Sequence, residues 1–332
     1  MSFIDTINEK ARANRKTIVL PESEDERTLR AAARVMELKT ADLILLGNED
    51  VIKNDASKLG LDISGVKIVD PEKSEKLEEY VENLYELRKA KGMTPEAARE
   101  ALLNDRTTFG VMMVKMKDAD GLVSGACHST ANTLRPALQI IKTAPGKKLA
   151  SAVFIFDIPD CEFGENGIIA AADCALTQDP DPEQLAEIGA DTAETFEQLV
   201  GKHAKVAFLC HSTKGSAKHP FVDKVQTAVK IAKEKYPDVD LDGELQLDAA
   251  IVPEVAALKA PGSPVAGHAN VIIFPNIEAG NIGYKLIQRL AKAEAYSLLQ
   301  GLAAPVNDLS RGCFWEDIVG VIAITVVQAQ RM

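Results

Sequence analysis

Several features that would narrow the class of this protein are scarce or absent in its sequence. The 332 residues include five cysteines, an odd number with no Cys-x-x-Cys pair, which argues against a disulfide framework or a zinc ribbon. No apolar run is long enough to span a bilayer, and the N-terminus lacks the basic start and apolar centre of a signal peptide. We therefore expect a cytoplasmic protein with reduced thiols and no membrane partner.

Positive charge is also in short supply. Lysine and arginine number 38 against 49 acidic residues, and the formal net charge is −11. Nucleic acids and anionic membranes are bound through a basic face, so neither is an expected partner. Any anionic small molecule must be held by local positive charge.

The common nucleotide and metal motifs are missing as well. The sequence has no Gly-x-Gly-x-x-Gly and no Walker loop, which weakens the dinucleotide and nucleoside triphosphate interpretations. Its five histidines show no His-x-x-x-His or other metal-ligand spacing, so no bound transition metal is predicted.

The sequence does contain a repeated alternation of strands and helices. Short apolar runs end at Gly or Pro and are followed by amphipathic segments, a pattern typical of buried parallel strands covered by helices on both faces. The length predicts two domains, with a boundary near residues 143–146. Strands are predicted at 17–20, 42–46, 65–69, 121–124, 152–156, 167–172, 205–210, 244–247 and 271–274, and a break at 105–110 precedes a Met-rich helix at 111–117.

The most informative stretch lies near the end of the chain. A loop over 305–313 is predicted to open a buried helix, and it brings Ser310, Arg311 and Asp317 close together. A hydroxyl, a guanidinium and the free N–H groups of a helix start suit a phosphate or a developing oxyanion. Two plainer interpretations stay open at this point: Asp308 or Ser310 caps the helix, or Arg311 pairs with Glu316 or Asp317.

Two other strand ends carry hydroxyls and positive charge. The strand at 121–124 leads into Ser129, Thr130 and Arg135, and the strand at 205–210 leads into Ser212 and Thr213. Small residues after a strand can place backbone N–H groups around an anion. The alternatives are that Ser129 or Thr130 caps a helix and that Arg135 extends to water.

Two basic residues also share a helix face in the second half of the chain. Lys285 and Arg289 are four residues apart on a helix predicted at 280–289. Such a pair is more often a solvated face than a ligand site.

Five motifs in order give the sequence a family resemblance. Over nearly its whole length the chain resembles the short, single-module phosphotransacetylases, which are phosphate acetyltransferases. The resemblance rests on SGACHSTANTLRPALQIIK at 124–142, STKGSA at 212–217, DGELQLDAA at 242–250, PNIEAGNIGYK at 275–285 and NDLSRG at 307–312.

The resemblance implies a fold and a reaction. It implies two three-layer α/β domains with mostly parallel sheets and a cleft between them, made of residues 1–146 plus 299–332 and residues 147–298, and usually a homodimer. The implied reaction is the reversible conversion of acetyl-CoA and phosphate to acetyl phosphate and CoA. CoA and acetyl-CoA are then substrates, and no permanently bound cofactor is expected.

The same resemblance assigns roles to individual residues. The reactive serine, arginine and aspartate of the family fall on Ser310, Arg311 and Asp317, and its other substrate arginines fall on Arg106 and Arg135. Ser129, Thr130, Ser212, Thr213, Lys285 and Arg289 complete the predicted substrate-binding set. The chain departs from the family pattern at Phe314-Trp315 and at Cys210-His211, which bears on acyl-chain selectivity and local packing.

The chemistry required of Asp317 is demanding. Moving a proton from a thiol of pKa about 8.5 to an ordinary aspartate of about 3.9 is uphill by roughly 6 kcal/mol. A desolvated carboxylate, or proton transfer concerted with attack, is therefore required if Asp317 is the general base. Cys313 offers a competing mechanism through an acyl-cysteine, although a packing role is favoured because no histidine lies near it in the sequence.

Two other functions stay open from the sequence. One is a module that binds acetyl-CoA to regulate a partner enzyme, and retention of Ser310, Arg311 and Asp317 together counts against it. The other is a phosphate butyryltransferase, which rates with acetyl-CoA and butyryl-CoA would distinguish.

Overall fold

The structure is a computed structural model that describes residues 2–331 of the chain. It divides into two compact units, described separately below. The first contains residues 3–145 and the C-terminal stretch from Leu302, and the second contains Gly146–Gly301. Among the described residues, no helix combines the length and apolarity needed to cross a membrane.

The first unit is an alternation of helices and parallel strands. Its elements are α1 (Phe3–Ala13), β1 (Thr17–Leu20), α2 (Glu26–Leu38), β2 (Asp42–Leu46), α3 (Glu49–Lys58), β3 (Lys67–Val69), α4 (Leu77–Arg88), α5 (Pro95–Asn104), α6 (Arg106–Lys115), β4 (Gly121–Ser124), α7 (Thr130–Pro136), and later in the chain β11 (Val306–Asp308) and α14 (Trp315–Ala329). The five strands form one sheet in the order β11-β4-β1-β2-β3, and each pair is parallel.

Helices cover both faces of this sheet. Successive side chains of a strand point to opposite faces. In β1, Val19 lies where α6 approaches at Gly110, while the preceding Ile18 lies beside Gly121, on the side where Thr325 of α14 approaches. Both approaches are close enough that an added Cβ would collide, so the small residues let the three layers pack tightly.

The second unit has a six-stranded sheet. Its elements are β5 (Ser151–Asp157), α8 (Phe163–Asn166), β6 (Ile168–Ala172), α9 (Pro182–Val200), β7 (Lys205–Leu209), α10 (Pro220–Lys235), β8 (Asp240–Leu245), α11 (Leu247–Ile251), α12 (Pro253–Lys259), β9 (Val271–Ile273), α13 (Ile277–Leu290) and β10 (Glu294–Gln300). The order is β10-β5-β6-β9-β7-β8, with β5 antiparallel to β10 and β6 and the other pairs parallel.

This sheet is also the middle of three layers. Phe208 of β7 packs against Gly189 of α9. Its neighbours Ala207 and Leu209 point the other way, into a core that Tyr284 of α13 shares. The predicted α/β class with mostly parallel sheets is therefore confirmed.

Three local predictions were wrong. The break expected at 105–110 is confined to Asp105, because Asp105 caps α6 by accepting the Thr107 N–H at 3.0 Å and the helix already begins at Arg106. The loop expected over 305–313 contains β11, which completes the first sheet. Strand β10 was missed, since its sequence, EAYSLLQ, is not a continuous apolar run.

Candidate active site

The candidate site is built at one edge of the first sheet. Strands β11, β4 and β1 are neighbours and parallel, so the segments that follow them meet at the same edge. Ligands of open α/β sheets commonly bind at this carboxyl edge. The segments are residues 21–25 after β1, 125–129 after β4 and 309–314 after β11.

The loop after β4 does bind an anion, but the anion is a side chain of the protein. Glu22 is 2 % exposed, and its Oε2 accepts the N–H groups of Gly125 and Ala126 at 2.8 and 2.7 Å. Its Oε1 accepts those of Cys127 and His128 at 3.2 and 3.0 Å, and lies 2.8 Å from His128 Nδ1. The backbone N–H groups that we expected to surround an external anion therefore bind a buried carboxylate of the protein instead.

Arg27 connects the loops of the site. Its Nη1 donates to the carbonyls of Arg311 and Cys313 at 2.9 and 3.0 Å, and its Nη2 donates to the carbonyl of Ala126 at 2.6 Å. The carboxylate of Asp25 holds the guanidinium through Nε and Nη2 at 3.0 and 2.7 Å. A planar, permanently charged donor is suited to this task, because it can bind several acceptors in fixed directions. Arg27 thus positions the segment that carries the predicted catalytic residues.

The three predicted catalytic residues lie within one turn and the helix start that follows it. Ser310 and Arg311 are exposed in the turn before α14. Within residues 2–331 the Arg311 guanidinium makes no hydrogen bond or ion pair, so the plainer interpretation of a pair with Glu316 or Asp317 receives no support. Ser310 Oγ accepts the Gly312 N–H at 3.4 Å.

Asp317 is half-buried in the first turn of α14. Its carboxylate accepts the backbone N–H of Phe314 at 2.8 Å, so it caps the helix. This bond favours the ionised carboxylate.

The two other predicted substrate arginines have different surroundings. Arg106, at the start of α6, donates from Nη1 to Glu24 at 2.8 Å. Arg135, on α7, lines a cavity of about 360 Å³ together with polar residues such as Glu100 and Asn132. Arg135 is exposed and has no ion pair among the residues described. Arg135 and Arg311 are therefore the arginines available to an incoming anion.

The predicted hydroxyls of this unit follow residues 125–128, the loop that binds Glu22 and is called the Glu22 loop below. Ser129 and Thr130 are exposed at the start of α7, and Ser129 Oγ donates to Asn132 Oδ1 at 2.6 Å. Ser129 precedes the helix without a capping bond to its backbone. The plain capping interpretation is thus not seen for Ser129, and both hydroxyls stay predictions as ligand contacts.

Asp308, at the end of β11, is a buried acid beside the catalytic turn. It is 7 % exposed, and its Oδ1 has no hydrogen-bond partner in the described chain. Burial raises the pKa of Asp308 to about 6, although the hydroxyls of Thr130 and Thr133 counteract part of the effect. Asp308 thus stores unfavourable free energy when it is ionised.

Replacing Asp308 by Asn is expected to change how stability depends on pH. A folded-state pKa of about 6 against an ordinary 3.8 means that the native state binds this proton more tightly, so wild-type stability falls as pH rises through that window. Two pKa units amount to at most about 3 kcal/mol. The unfolding free energy of Asp308→Asn relative to wild type should therefore rise by up to about 3 kcal/mol between pH 4 and pH 7.

Urea denaturation at several pH values measures this difference. The exposed Asp238→Asn is the matched control and should show a much smaller change. A difference between Asp308→Asn and wild type that does not vary with pH would contradict the account.

In the second unit, the loop after β7 also donates hydrogen bonds to a buried glutamate, as the loop after β4 does to Glu22. Glu244, 2 % exposed, accepts the Ser212 hydroxyl at 2.8 Å and the Gly215 N–H at 2.7 Å. Thr213 is buried too, and its hydroxyl accepts the Gln246 N–H at 2.9 Å. The predicted ligand hydroxyls Ser212 and Thr213 thus have internal partners that hold the loop, and their role as substrate contacts stays a prediction.

The basic residues of this loop and of α13 have different partners. Lys214 donates to Asp242 at 2.6 Å. Burial raises the pKa of Asp242, but hydrogen bonds from Lys214, Ser263 and Lys233 outweigh it and bring the pKa to about 2. Lys285 bonds to Asn281 and lies 4.2 Å from the ring centre of Tyr284, and Arg289 is exposed one turn further along.

Sequence reasoning missed Glu22 and Arg27. The signal was available: Pro21-Glu22 follows β1 directly, and carboxyl ends of neighbouring parallel strands meet at one edge. Applying that rule requires the strand order, which places β1 beside β4.

Comparisons with known proteins agree with this geometry. A family model described as "Phosphate acetyl/butaryl transferase" matches residues 2–326. A phosphate acetyltransferase of Thermoanaerobacterium thermosaccharolyticum is 60% identical over 331 residues, covering 99% of this chain and 100% of the relative. A phosphate acetyltransferase of Acetivibrio thermocellus is 58% identical over 331 residues, covering 99% of each. The crystal structure of a phosphotransacetylase from Streptococcus pyogenes superposes with a TM-score of 0.93 at 46% identity, covering 99% of this chain and 98% of that one.

Proposed function

The chain belongs to the phosphate acetyl/butaryl transferase family and carries out the phosphate acetyltransferase reaction, and we propose that it does so by direct attack of the CoA thiolate on acetyl phosphate in a ternary complex. The substrates are small molecules, CoA and acetyl-CoA among them. The observation that carries the proposal is that Arg311, whose guanidinium has no partner among residues 2–331, lies in the turn directly before the helix whose start carries Asp317.

In this mechanism Asp317 accepts the thiol proton as the sulfur attacks the acetyl carbonyl. The C–S bond forms, the bond between the acyl carbon and the phosphate oxygen breaks, and phosphate leaves as an anion. The Phe314 N–H stabilises the ionised form of Asp317 and so makes it a weaker base. We therefore favour proton transfer that is concerted with attack of the sulfur. It avoids the cost of roughly 6 kcal/mol for a free thiolate.

The other predicted site residues would bind the negative charge of the phosphate and of the developing oxyanion. The guanidinium groups of Arg311 and Arg135 have no ion pair in the described part of the chain, so both can bind phosphate oxygens in pairs. Arg106 would have to exchange its Glu24 partner for substrate. Ser310 is exposed beside Arg311 and can donate to the sulfur or to the developing oxyanion.

The proposal is tested by release of CoA thiol from acetyl-CoA when phosphate is added to purified protein, followed by the reverse reaction. Phosphate-dependent, reversible release is expected. Tight acetyl-CoA binding without release would favour the regulatory module, and faster release from butyryl-CoA would favour a butyryltransferase.

Cys313→Ala is expected to retain most of the activity. Cys313 is 8 % exposed, and burial raises the pKa of its thiol to about 11 despite the opposing charge of Arg27. A buried, protonated thiol is a poor nucleophile. Initial rates with acetyl phosphate and CoA should fall less than about tenfold. A loss of several hundredfold, with an acetyl group trapped on wild-type Cys313, would replace direct attack by an acyl-cysteine mechanism.

We also propose a homodimer and a cytoplasmic location. Helix α13 presents Ile282, Leu286 and Leu290, which are 57, 52 and 78 % exposed, at a spacing of four residues. Such an apolar stripe supports burial against a second copy. All five cysteines are unpaired, which supports a reducing compartment. Sedimentation equilibrium of wild type and Leu286→Glu tests the dimer, which the variant should weaken.

A further inference from the structure

The Glu22 loop brings together three groups of the kind that bind zinc. Glu22, Cys127 and His128 each have one possible ligand atom within 4.8 Å of those of the other two, and this is the one such group of three or more among residues 2–331. Sγ is 3.3 Å from Nδ1, and Nδ1 is 2.8 Å from Oε1. This group could not be predicted from spacing in the sequence, because Glu22 is 106 positions away from His128.

We propose that Glu22, Cys127 and His128 form a binding site for a soft divalent transition metal, of which Zn²⁺ is the best match. Thiolate, imidazole and carboxylate are the ligand types that zinc takes in proteins. Tetrahedral zinc places neighbouring sulfur and nitrogen ligands about 3.5 Å apart and nitrogen and oxygen ligands about 3.3 Å apart. The observed separations need to open by only a few tenths of an ångström, as the ion replaces the proton between Nδ1 and Oε1.

The carboxylate is held in place before any ion arrives. Four backbone N–H groups fix Glu22, and it is almost fully buried, while Cys127 and His128 are exposed at the mouth of the site. One rigid ligand and two accessible ones give an ion both an anchor and a path of entry. This preorganisation lowers the entropy lost on binding.

A second carboxylate is within reach as a fourth ligand. Glu24 Oε1 lies 3.9 Å from Cys127 Sγ and 4.0 Å from His128 Nε2. Two carboxylates near the thiol favour a cation there. The other oxygen of Glu24 binds Arg106, so a bound ion would share a carboxylate with a predicted substrate arginine.

The chain contains a matched comparison for this site. Cys210-His211 is the same dipeptide and also lies in the loop after a strand, with Sγ 3.8 Å from Nδ1. Neither residue belongs to a group of three candidate ligands in the described chain. The pair therefore tests whether a Cys-His dipeptide is sufficient or whether the fixed carboxylate is required.

Titration with Co²⁺ provides the test, because a cobalt–thiolate bond gives a near-ultraviolet charge-transfer band and tetrahedral Co²⁺ gives visible bands. Wild type and Cys210→Ser should bind one equivalent with both signals. Cys127→Ser should lose the thiolate band and bind Co²⁺ at least about 100-fold more weakly. His128→Asn should weaken binding similarly. Zn²⁺ added afterwards should displace the cobalt signal in wild type.

Two results would overturn the site. One is the absence of a thiolate band in wild type at millimolar Co²⁺. The other is a band that survives in Cys127→Ser and disappears in Cys210→Ser. Circular dichroism of each variant shows that the fold is retained, and because the test needs no turnover, its outcome is independent of the proposed reaction.

Discussion

Asp317→Asn is expected to lower kcat by about 10² to 10⁴ while changing the KM for CoA by less than about threefold. The amide has the same shape, and its carbonyl oxygen can still accept the Phe314 N–H that Asp317 accepts at 2.8 Å. Helix α14 therefore keeps its cap, and the variant loses mainly the ability to take a proton. Steady-state rates with acetyl phosphate and CoA, with CoA affinity measured separately by calorimetry, separate turnover from binding.

The neighbouring carboxylate provides the control for that experiment. Glu316 stands one residue earlier in the same first turn and is exposed. Glu316→Gln removes the same charge from the helix start, so it should reproduce any general electrostatic effect and keep kcat within a few fold. Near-normal turnover of Asp317→Asn would remove Asp317 as the base.

Glu22→Gln is expected to destabilise the protein by roughly 2 to 6 kcal/mol. Each carboxylate oxygen of Glu22 accepts two backbone N–H groups. An amide can offer only one acceptor oxygen, and whichever way it turns, its NH₂ faces two N–H donors that lose their partner. Each orphaned buried donor costs about 1 to 3 kcal/mol. The loop of residues 125–129 should loosen first.

Chemical denaturation and hydrogen exchange measure this effect together. Glu24→Gln is the control, because that side chain is 48% exposed and its ion pair with Arg106 is worth little. Exchange at Gly125, Ala126 and His128 should speed up in Glu22→Gln and not in the control. Equal stability of the two variants would mean that the buried carboxylate does not hold the loop.

The sequence predicted the fold well where local chemistry decides the structure. Strands at 17–20 and 42–46 have the predicted bounds, because apolar β-branched runs stop at Pro or Gly. Local chemistry also sets the bounds of helix α9, from Pro182 to Val200, since Asp181 caps its start and Gly201 adopts the left-handed conformation at its end.

What the sequence could not show depends on strand order. Strand β11 is only three residues long and exists because β4 is beside it. The same pairing brings Glu22 to the loop after β4, where the pattern of small residues had suggested an external anion. A nest of N–H groups indicates negative charge, but not whether that charge belongs to a substrate or to the protein.

The measurement that tests direct attack most sharply is exchange of labelled phosphate into acetyl phosphate. If the CoA thiolate attacks acetyl phosphate directly, no label enters acetyl phosphate while CoA is absent, and exchange begins when CoA is added. If the acetyl group first moves to the enzyme, phosphate is released in that step and label enters without CoA. Exchange in the absence of CoA would contradict the account, and its strict dependence on CoA is the result we predict.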